Sequence, residues 1–222
     1  MVVSVQSLIA QGKFVRTRLP PDQRRAQLLK CAIAAFAEYG IARATHAHVA
    51  ERAEVSVSAV HSYFRTREDL VAATLNEVEV RLMDIIGNID VQNIGVRDTL
   101  SMMVKGFDKA AQEDPEIIKV WLDWSTGFRA DVWPGYLRMQ ERLHGAVRKA
   151  LARGKRTGTL SPHLNTAAAA RLFVGGGHTI ALARFAGASR REITILIDHL
   201  IKSIMAIGHD ATGHDATGEA ED

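Results

Sequence analysis

Three helix starts follow one another so closely between residues 45 and 69 that this part of the chain cannot be one long helix. Thr45 and Ser56 can each accept hydrogen bonds from backbone N–H groups at the start of a helix. Thr66, with Asp69 three residues later, has the pattern of a third start. The segment is therefore predicted to contain two short helices followed by the beginning of a longer one.

The apolar residues between these starts have the spacing of a tight corner. Ala50 is small enough to let two helices approach, Val55 can fill the turn, and Val60 returns to the same core from the second helix. Two short helices joined by a three-residue turn form a helix-turn-helix, whose second helix, here expected over residues 56–64, enters the major groove of DNA. DNA is the first partner to consider, although amphipathic helices with this spacing also occur in other helical proteins.

The outer face of the second helix combines small polar groups with an imidazole, which suits base edges and phosphates. Serine is an ambiguous base reader and His61 can donate or accept, so these residues predict contact with DNA but no particular sequence. The candidate DNA-binding residues of the corner are Thr45, Ser56, Ser58, Ala59, His61, Ser62, Tyr63 and Arg65.

Positive charge is concentrated in the first third of the chain. Residues 1–75 contain ten Lys or Arg and six Asp or Glu, whereas the remainder contains eighteen and nineteen, within a formal net charge of +3. Residues 1–21 are expected to form a flexible basic arm, because they end in two consecutive prolines. Arg16 and Arg18 of this arm can enter a minor groove, and the positive charge supplies sequence-independent affinity for double-stranded DNA.

Length and composition predict an all-α protein of about nine helices. A chain of 222 residues with 47% hydrophobic residues can bury a large core, and it has few of the alternations typical of strands. We expect a helix-turn-helix domain at residues 22–68, a helical regulatory and dimerisation domain at 69–207, and a disordered tail at 208–222, where GHDAT occurs twice. A long helix from Thr66 to about Ile86 should connect the two domains.

Several features of other protein classes are missing from the sequence. The single cysteine, Cys31, rules out an internal disulfide and a thiolate cluster for zinc, and no motif predicts a metal or another cofactor. No run of about twenty apolar residues is available to span a membrane. The first residues lack the basic region of a signal peptide, so the chain is expected to stay in the cytoplasm.

The large aromatic residues are clustered in one part of the chain. Trp121, Trp124 and Trp133 fall within thirteen positions, with Phe128 between them and Tyr136 just beyond, in a chain that is only 6% aromatic. Such a cluster either walls a pocket for a small apolar or aromatic ligand or fills the space between helices, and the sequence leaves both alternatives open. The candidate polar partners for a ligand are the indole N–H groups, Gln140, His144 and His178.

The last two predicted helices are suited to association. The first of them, over residues 165–186, is rich in alanine and contains Gly175, Gly176 and Gly177, each of which costs about 1 kcal/mol relative to alanine. Close approach by another helix or a ligand would compensate for that cost, and a local break in the helix is the alternative. We expect a homodimer through these two helices, because two reading helices can bind a palindromic operator that one would bind weakly.

Specific segments resemble a known family. Residues 35–70, AFAEYGIARATHAHVAERAEVSVSAVHSYFRTREDL, resemble the amino-terminal domain of TetR-type transcription regulators. Residues 16–19, 56–71 and 119–134, the last reading KVWLDWSTGFRADVWP, resemble the LuxR/HapR-type quorum-sensing master regulators within that family. The resemblance implies a homodimeric activator or repressor whose last helices dimerise, with Arg16 and Arg18 in the minor groove and the second corner helix in the major groove.

The resemblance also implies a ligand pocket in the larger domain, but with departures. Ser62 stands where the subgroup tends to carry Asn, His61 where it carries Phe, and Glu54 where TetR-type proteins often place Gly, so operator and ligand can both differ. The residues implied near the pocket are Leu82, Ile86, Met103, Phe107, Trp121, Tyr136 and Gly177. Further ligand-binding candidates are Met83, Trp124, Phe128, Trp133, Gln140, Phe173 and His178.

Two rival functions are kept beside the regulator. The first is a helical small-molecule-binding protein or enzyme that uses the aromatic pocket, with His144 or His178 as acid or base. No nucleophile–base spacing, metal triad, phosphate-binding glycine loop or carboxylate pair supports such an enzyme, so the chain is expected not to be one. The second rival is a protein that coats DNA without sequence preference, which selection from random duplexes would distinguish.

Overall fold

The chain folds into α-helices. The structure, a computed structural model, describes residues 19–87, 89, 93–127 and 131–207. Within these ranges it contains nine helices and no strand, which confirms the prediction of an all-α protein. The helices are α1 (Pro21–Tyr39), α2 (His46–Arg52), α3 (Val57–His61), α4 (Arg67–Gly87), α5 (Val96–Glu113), α6 (Pro115–Thr126), α7 (Trp133–Arg156), α8 (Thr166–Phe185) and α9 (Arg190–Ala206).

Three predicted features lie outside the described residues. They are residues 1–18 of the predicted arm, which include Arg16 and Arg18, the candidate ligand-binding residue Phe128, and the GHDAT-repeat tail. The predicted end of the arm at residue 21 is one residue too late, because α1 begins at Pro21. Across the part of the chain that the structure does describe, none of the helices has both the length and the apolar character needed to cross a membrane. The same ranges contain no group of His, Cys, Asp and Glu side chains with the arrangement of a metal site.

α1 is followed by a glycine in a left-handed conformation, and α2 is followed by a short turn. Gly40, with φ of 77°, follows α1, and its N–H donates to Phe36 O at 2.9 Å. This backbone conformation favours glycine because it has no Cβ. α2 and α3 are then joined by residues 53–56, a turn of four residues rather than the three expected.

The second helix of the corner is shorter than expected. α3 has five residues and ends at His61, so the prediction of a helix over residues 56–64 is wrong in its carboxyl-terminal bound. The reason lies in the hydrogen bonds that follow, because Tyr63 N–H donates to Val60 O only three residues back. This tighter turn leads the chain into α4.

Two groups of buried apolar side chains hold the helices together. The first lies between α1, α2, α3, α4 and α6 and includes Phe36, Phe64 and Trp121. The second lies between α5, α7, α8 and α9 and includes Leu100 and Leu151. Because α4 belongs to the first group, the core beneath the corner is continuous with the helices of the predicted regulatory domain, and the domain boundary after residue 68 stays a prediction.

α8 is one continuous helix through its three consecutive glycines, so the alternative of a local break is wrong. A Cβ built on Gly176 would lie 2.5 Å from Leu200 Cδ2 of α9, closer than two carbon atoms can approach. Gly176 therefore allows α9 to pack tightly on α8. Ser189 begins α9 with a capping box, in which Ser189 and Glu192 exchange hydrogen bonds between side chain and backbone.

Candidate functional site

The corner between α2 and α3 is closed by the three apolar residues that the spacing singled out. Ala50 and Val60 are buried, and Val55 is half-buried against the same core. Val55 N–H donates back to Ala50 O at 3.0 Å. Glu54 in the turn has φ of 52°, a left-handed conformation that costs a residue with a Cβ roughly 1–2 kcal/mol. Burial of one valine contributes about as much, so the corner tolerates that cost.

Side-chain oxygens cap the three helix starts that were predicted. Thr45 Oγ1 accepts from the backbone N–H three residues on at 3.4 Å, and Ser56 Oγ does the same at 3.2 Å. Asp69 N–H donates to Thr66 Oγ1 at 3.0 Å while Thr66 N–H donates to Asp69 Oδ2 at 3.1 Å. These bonds confirm the helix starts.

The outer face of α3 is open to solvent. Ser58, His61 and Ser62 are exposed, and Ala59 and Tyr63 are half-buried. A surface of this kind, made of two hydroxyls, an imidazole and part of a phenol ring, has donors and acceptors that can reach base edges or phosphates.

Three further DNA-binding candidates lie at the ends of the short helices. Thr45 and Ser56 are exposed, but their hydroxyl oxygens already accept capping hydrogen bonds. Arg65 follows α3 and is exposed, and its guanidinium has no hydrogen bond or ion pair with any described residue. Of these three side chains, Arg65 is the one whose full set of donors is available to a phosphate.

The ring of His61 stacks on that of a second histidine, His46, which the sequence reasoning missed. His46, at the start of α2, is only 7% exposed, and its ring stacks on that of His61 with centroids 4.0 Å apart and planes 12° apart. His46 Nε2–H donates to Phe64 O at 2.8 Å. Since the alternation of histidines in THAH gives no hint of which one is buried, only the fold could identify His46 as the support.

The loop between α1 and α2 joins the corner to the rest of the molecule. Asp123 of α6 accepts a hydrogen bond from Ile41 N–H at 2.8 Å. From the other side, Arg67 at the start of α4 donates to Ile41 O and to Ala42 O, the latter at 2.9 Å. Neither residue was predicted, because the bonded partners are 82 and 26 positions apart along the chain and no local pattern connects them.

A cavity of about 60 Å³ lies between α4, α5, α6, α7 and α8. Its lining is almost entirely apolar. The predicted ligand-binding residues that line it are Leu82, Ile86, Met103, Phe107, Trp121, Phe173 and Gly177. The lining residues that the sequence reasoning missed are Ile85, Val104, Leu143, Val147 and Val174, which are ordinary core residues in their periodicity and gave no separate signal.

The aromatic cluster does not form one pocket wall. Trp121 alone of the tryptophans faces the cavity. Trp124 and Trp133 group with Tyr136 instead, at ring-centroid distances of 5.9 and 5.0 Å from it, and Trp124 Nε1–H donates to Val132 O at 3.0 Å. Of the two alternatives left open for the cluster, a pocket wall is compatible with Trp121 and packing between helices with Trp124 and Trp133, because α6 turns Trp121 and Trp124 toward different neighbours.

Two other ligand-binding candidates also lie away from the cavity lining. Gln140 donates its amide N–H to the hydroxyl of Tyr136, one turn earlier on α7. Met83 of α4 is half-buried but is not among the cavity residues. Their roles as ligand contacts have no support from this geometry.

Among the residues that line the cavity, Trp121 is the one whose side chain carries an N–H group. This side chain is 2% exposed, and its Nε1–H has no hydrogen-bond partner among the described residues. The ring of His178 lies against it at a centroid distance of 3.9 Å, and Phe107 meets it edge-on at 5.2 Å. Burial lowers the pKa of His178 below its ordinary value, while the hydrogen bond to Val174 O raises it by less. One lining side chain, Trp121, therefore has an unused donor, and the imidazole that packs against it has a lowered pKa.

Comparison with known proteins indicates the same class of protein as the geometry of the helix-turn-helix does. A model of bacterial regulatory proteins of the tetR family matches residues 28–74. The HTH-type transcriptional regulator LuxR of Vibrio harveyi is 35% identical over 192 residues, which cover 84% of this chain and 91% of LuxR. The HTH-type transcriptional regulator BetI of Escherichia coli (strain K12 / DH10B) is 31% identical over 101 residues, 45% of this chain and 52% of BetI.

Solved structures share the fold at lower identity. The fatty acid degradation regulator FadR of Bacillus halodurans has a TM-score of 0.72 at 18% identity, covering 85% of this chain and 96% of FadR. FadR of Bacillus subtilis, solved in complex with stearoyl-CoA, has a TM-score of 0.70 at 14% identity, covering 82% and 98%. At these identities the likeness concerns the fold alone.

A helix-turn-helix with an open second helix, set on a larger all-helical body, defines a DNA-binding protein. The chain belongs to the TetR family of bacterial transcriptional regulators. It is accordingly a regulator of transcription and not an enzyme, which removes the enzyme from the rival functions.

Proposed function

We propose that the chain is a homodimeric, sequence-specific regulator in which α3 of each protomer lies in the major groove of a palindromic operator. The observation that carries the proposal is the open outer face of α3, with Ser58, His61 and Ser62 exposed above a fully packed corner. Arg65 extends that face with a guanidinium that has no ion-pair partner among the described residues. Arg16 and Arg18, on the arm outside the described residues, are proposed to reach the adjacent minor groove.

An apolar surface on α8 supports the homodimer. Leu172 and Leu182 are 58% and 59% exposed, although both are large hydrophobic residues. Gly175 and Thr179 lie between them on the same side of the helix and are also exposed, and a Cβ on Gly175 would meet nothing within 4 Å. On α9, Ile195 is 46% exposed. Apolar ends with small residues between them suit close packing of a second copy of α8, so we propose that the last two helices form the dimer interface.

The cavity supports a response to a small apolar or aromatic ligand. A volume of about 60 Å³ is well below the size of typical ligand sites, so a ligand larger than a few atoms would have to move the surrounding helices. α4 and α6 both line the cavity, and both hydrogen-bond through Arg67 and Asp123 to the loop that leads from α1 into the corner. Displacement of either helix would therefore change the position of α3, which is the physical basis of the proposed regulation.

Two finer assignments follow from the relatives and from the function. The likeness to LuxR of Vibrio harveyi, together with the segments at residues 56–71 and 119–134, supports a regulator of the quorum-sensing type. Because the DNA that it is proposed to bind is genomic, we propose that the chain acts in the cytoplasm.

Selection of bound fragments from random duplexes tests the proposal. A sequence-specific dimer is expected to enrich a palindrome whose half-site centres lie about 34 Å apart, or a further helical turn away, and to keep that preference as salt weakens its affinity. Replacing both Arg16 and Arg18 by alanine should weaken binding to all sequences and leave the preferred one unchanged. Salt-dependent binding without enrichment would instead identify a non-specific DNA coater and contradict the proposal.

A further inference from the structure

The two exposed polar side chains at the end of α3 have already given their hydrogens to backbone carbonyls. His61 Nδ1 lies 3.2 Å from Arg65 O, and Ser62 Oγ lies 2.7 Å from Ala59 O. A carbonyl oxygen only accepts hydrogen bonds, so the side chain is the donor in both pairs. In an uncharged imidazole whose Nδ1 carries the hydrogen, Nε2 is an acceptor, so what His61 and Ser62 offer a partner is this nitrogen and the lone pairs of the hydroxyl.

Two contacts fix the orientation of the His61 ring, a ring stack and a hydrogen bond. The ring stacks nearly parallel on buried His46, whose own Nε2–H is held by Phe64 O at 2.8 Å. Together with the bond to Arg65 O, the stack determines both the plane and the rotation of the His61 imidazole. His61 is exposed, and its Nε2 has no partner in the part of the chain that the structure describes.

We propose that the carboxyl-terminal end of α3 presents two hydrogen-bond acceptors, and that His61 Nε2 and Ser62 Oγ select the exocyclic amines of adenine and cytosine. In the major groove only adenine N6 and cytosine N4 are donors, whereas guanine N7 and O6 and thymine O4 are acceptors. An acceptor opposite guanine or thymine would lose its hydration without a bond in return. The inference rests on the proposed function, in which α3 enters the major groove.

The test repeats the selection from random duplexes with single variants of the full-length chain, at pH 8 so that imidazole side chains are neutral. His61→Phe keeps a flat ring for the stack on His46 but has no nitrogen. Ser62→Ala removes the hydroxyl, and His61→Lys replaces the acceptor by a donor. His163→Phe makes the same chemical change at an exposed residue of the α7–α8 loop and serves as the control.

The wild-type chain and the control should enrich adenine or cytosine at the same half-site positions. His61→Phe should reduce that enrichment at one position by about three- to tenfold, as expected for one lost hydrogen bond, and Ser62→Ala at a neighbouring one. His61→Lys should move the preference at the His61 position to guanine, whose O6 and N7 accept from lysine.

Guanine or thymine in the wild-type selection at the positions that respond to His61 would overturn the inference. So would a His61→Phe selection identical to the wild type, and in either case the proposed function would stand, because a palindrome would still be selected. A wild-type chain that enriches no sequence would overturn the proposed function itself, and the inference with it.

Discussion

At the scale of single residues, the environment of His178 makes a prediction about stability and pH. Burial lowers its pKa below the ordinary value of 6.5, so on acidification the unfolded chain takes up the proton before the folded chain does. This group therefore leaves stability intact above about pH 6.5 and reduces it as the pH falls from there toward the folded pKa. In thermal unfolding experiments between pH 7 and pH 5, the Tm should decrease as the pH is lowered.

His178→Phe should make that fall of Tm with pH shallower while preserving the ring contact with Trp121. The residual slope would come partly from His144, whose pKa is also lowered, first by burial and then by Arg171. His163→Phe is the matched control and should keep the wild-type slope. An unchanged slope in His178→Phe would show that the imidazole is not held neutral by its surroundings.

At the scale of helices and loops, Asp123 is expected to hold the corner against the body of the protein. Asp123→Ala would leave the backbone N–H of buried Ile41 without its acceptor, a loss of about 1–3 kcal/mol in the free energy of unfolding. Asp123→Asn keeps a carbonyl oxygen in place and should lose much less. Urea denaturation of the three proteins measures the difference, and equal losses in both variants would contradict the role of the hydrogen bond.

The contact between α8 and α9 gives a second prediction at this scale. Gly176→Ala would place a methyl group 2.5 Å from Leu200 Cδ2, which should destabilise the fold by about 1–3 kcal/mol. Gly145→Ala, in α7, meets only Arg148 Nη2 at 3.8 Å and should gain up to about 1 kcal/mol from helix propensity. A gain of stability in Gly176→Ala as well as in Gly145→Ala would mean that Leu200 moves aside without cost.

Sequence reasoning identified the starts of helices better than it identified which side chains are neighbours. The starts at Thr45, Ser56 and Thr66 were readable because a cap is a local interaction, complete within four residues. The separation of Trp124 from Trp121 was not, since it depends on which helices surround α6. The support of His61 by His46 depends in the same way on how α2 and α3 cross.

At the scale of the whole molecule, the proposed dimer makes DNA binding depend on a surface far from the corner. Leu182→Glu would bury a charge in the interface between two copies of α8 and should weaken the dimer by about 3 kcal/mol or more. Leu137→Glu introduces the same charge at a residue of α7 that is 51% exposed and should leave association unchanged. Sedimentation equilibrium measures association, and a Leu182→Glu chain that remains dimeric would place the interface elsewhere.

The position of α3 on DNA is measured most directly by cleavage from the helix itself. An iron chelate is attached to Ser58→Cys in a chain that also carries Cys31→Ser, and the selected operator is mapped for strand breaks. The account predicts two centres of cleavage, one in each half-site and about 34 Å or a further helical turn apart, and none near the operator from a chelate on Ser203→Cys of α9. With the chelate at residue 58, strand breaks spread evenly along the duplex, or no breaks at all, would contradict the account.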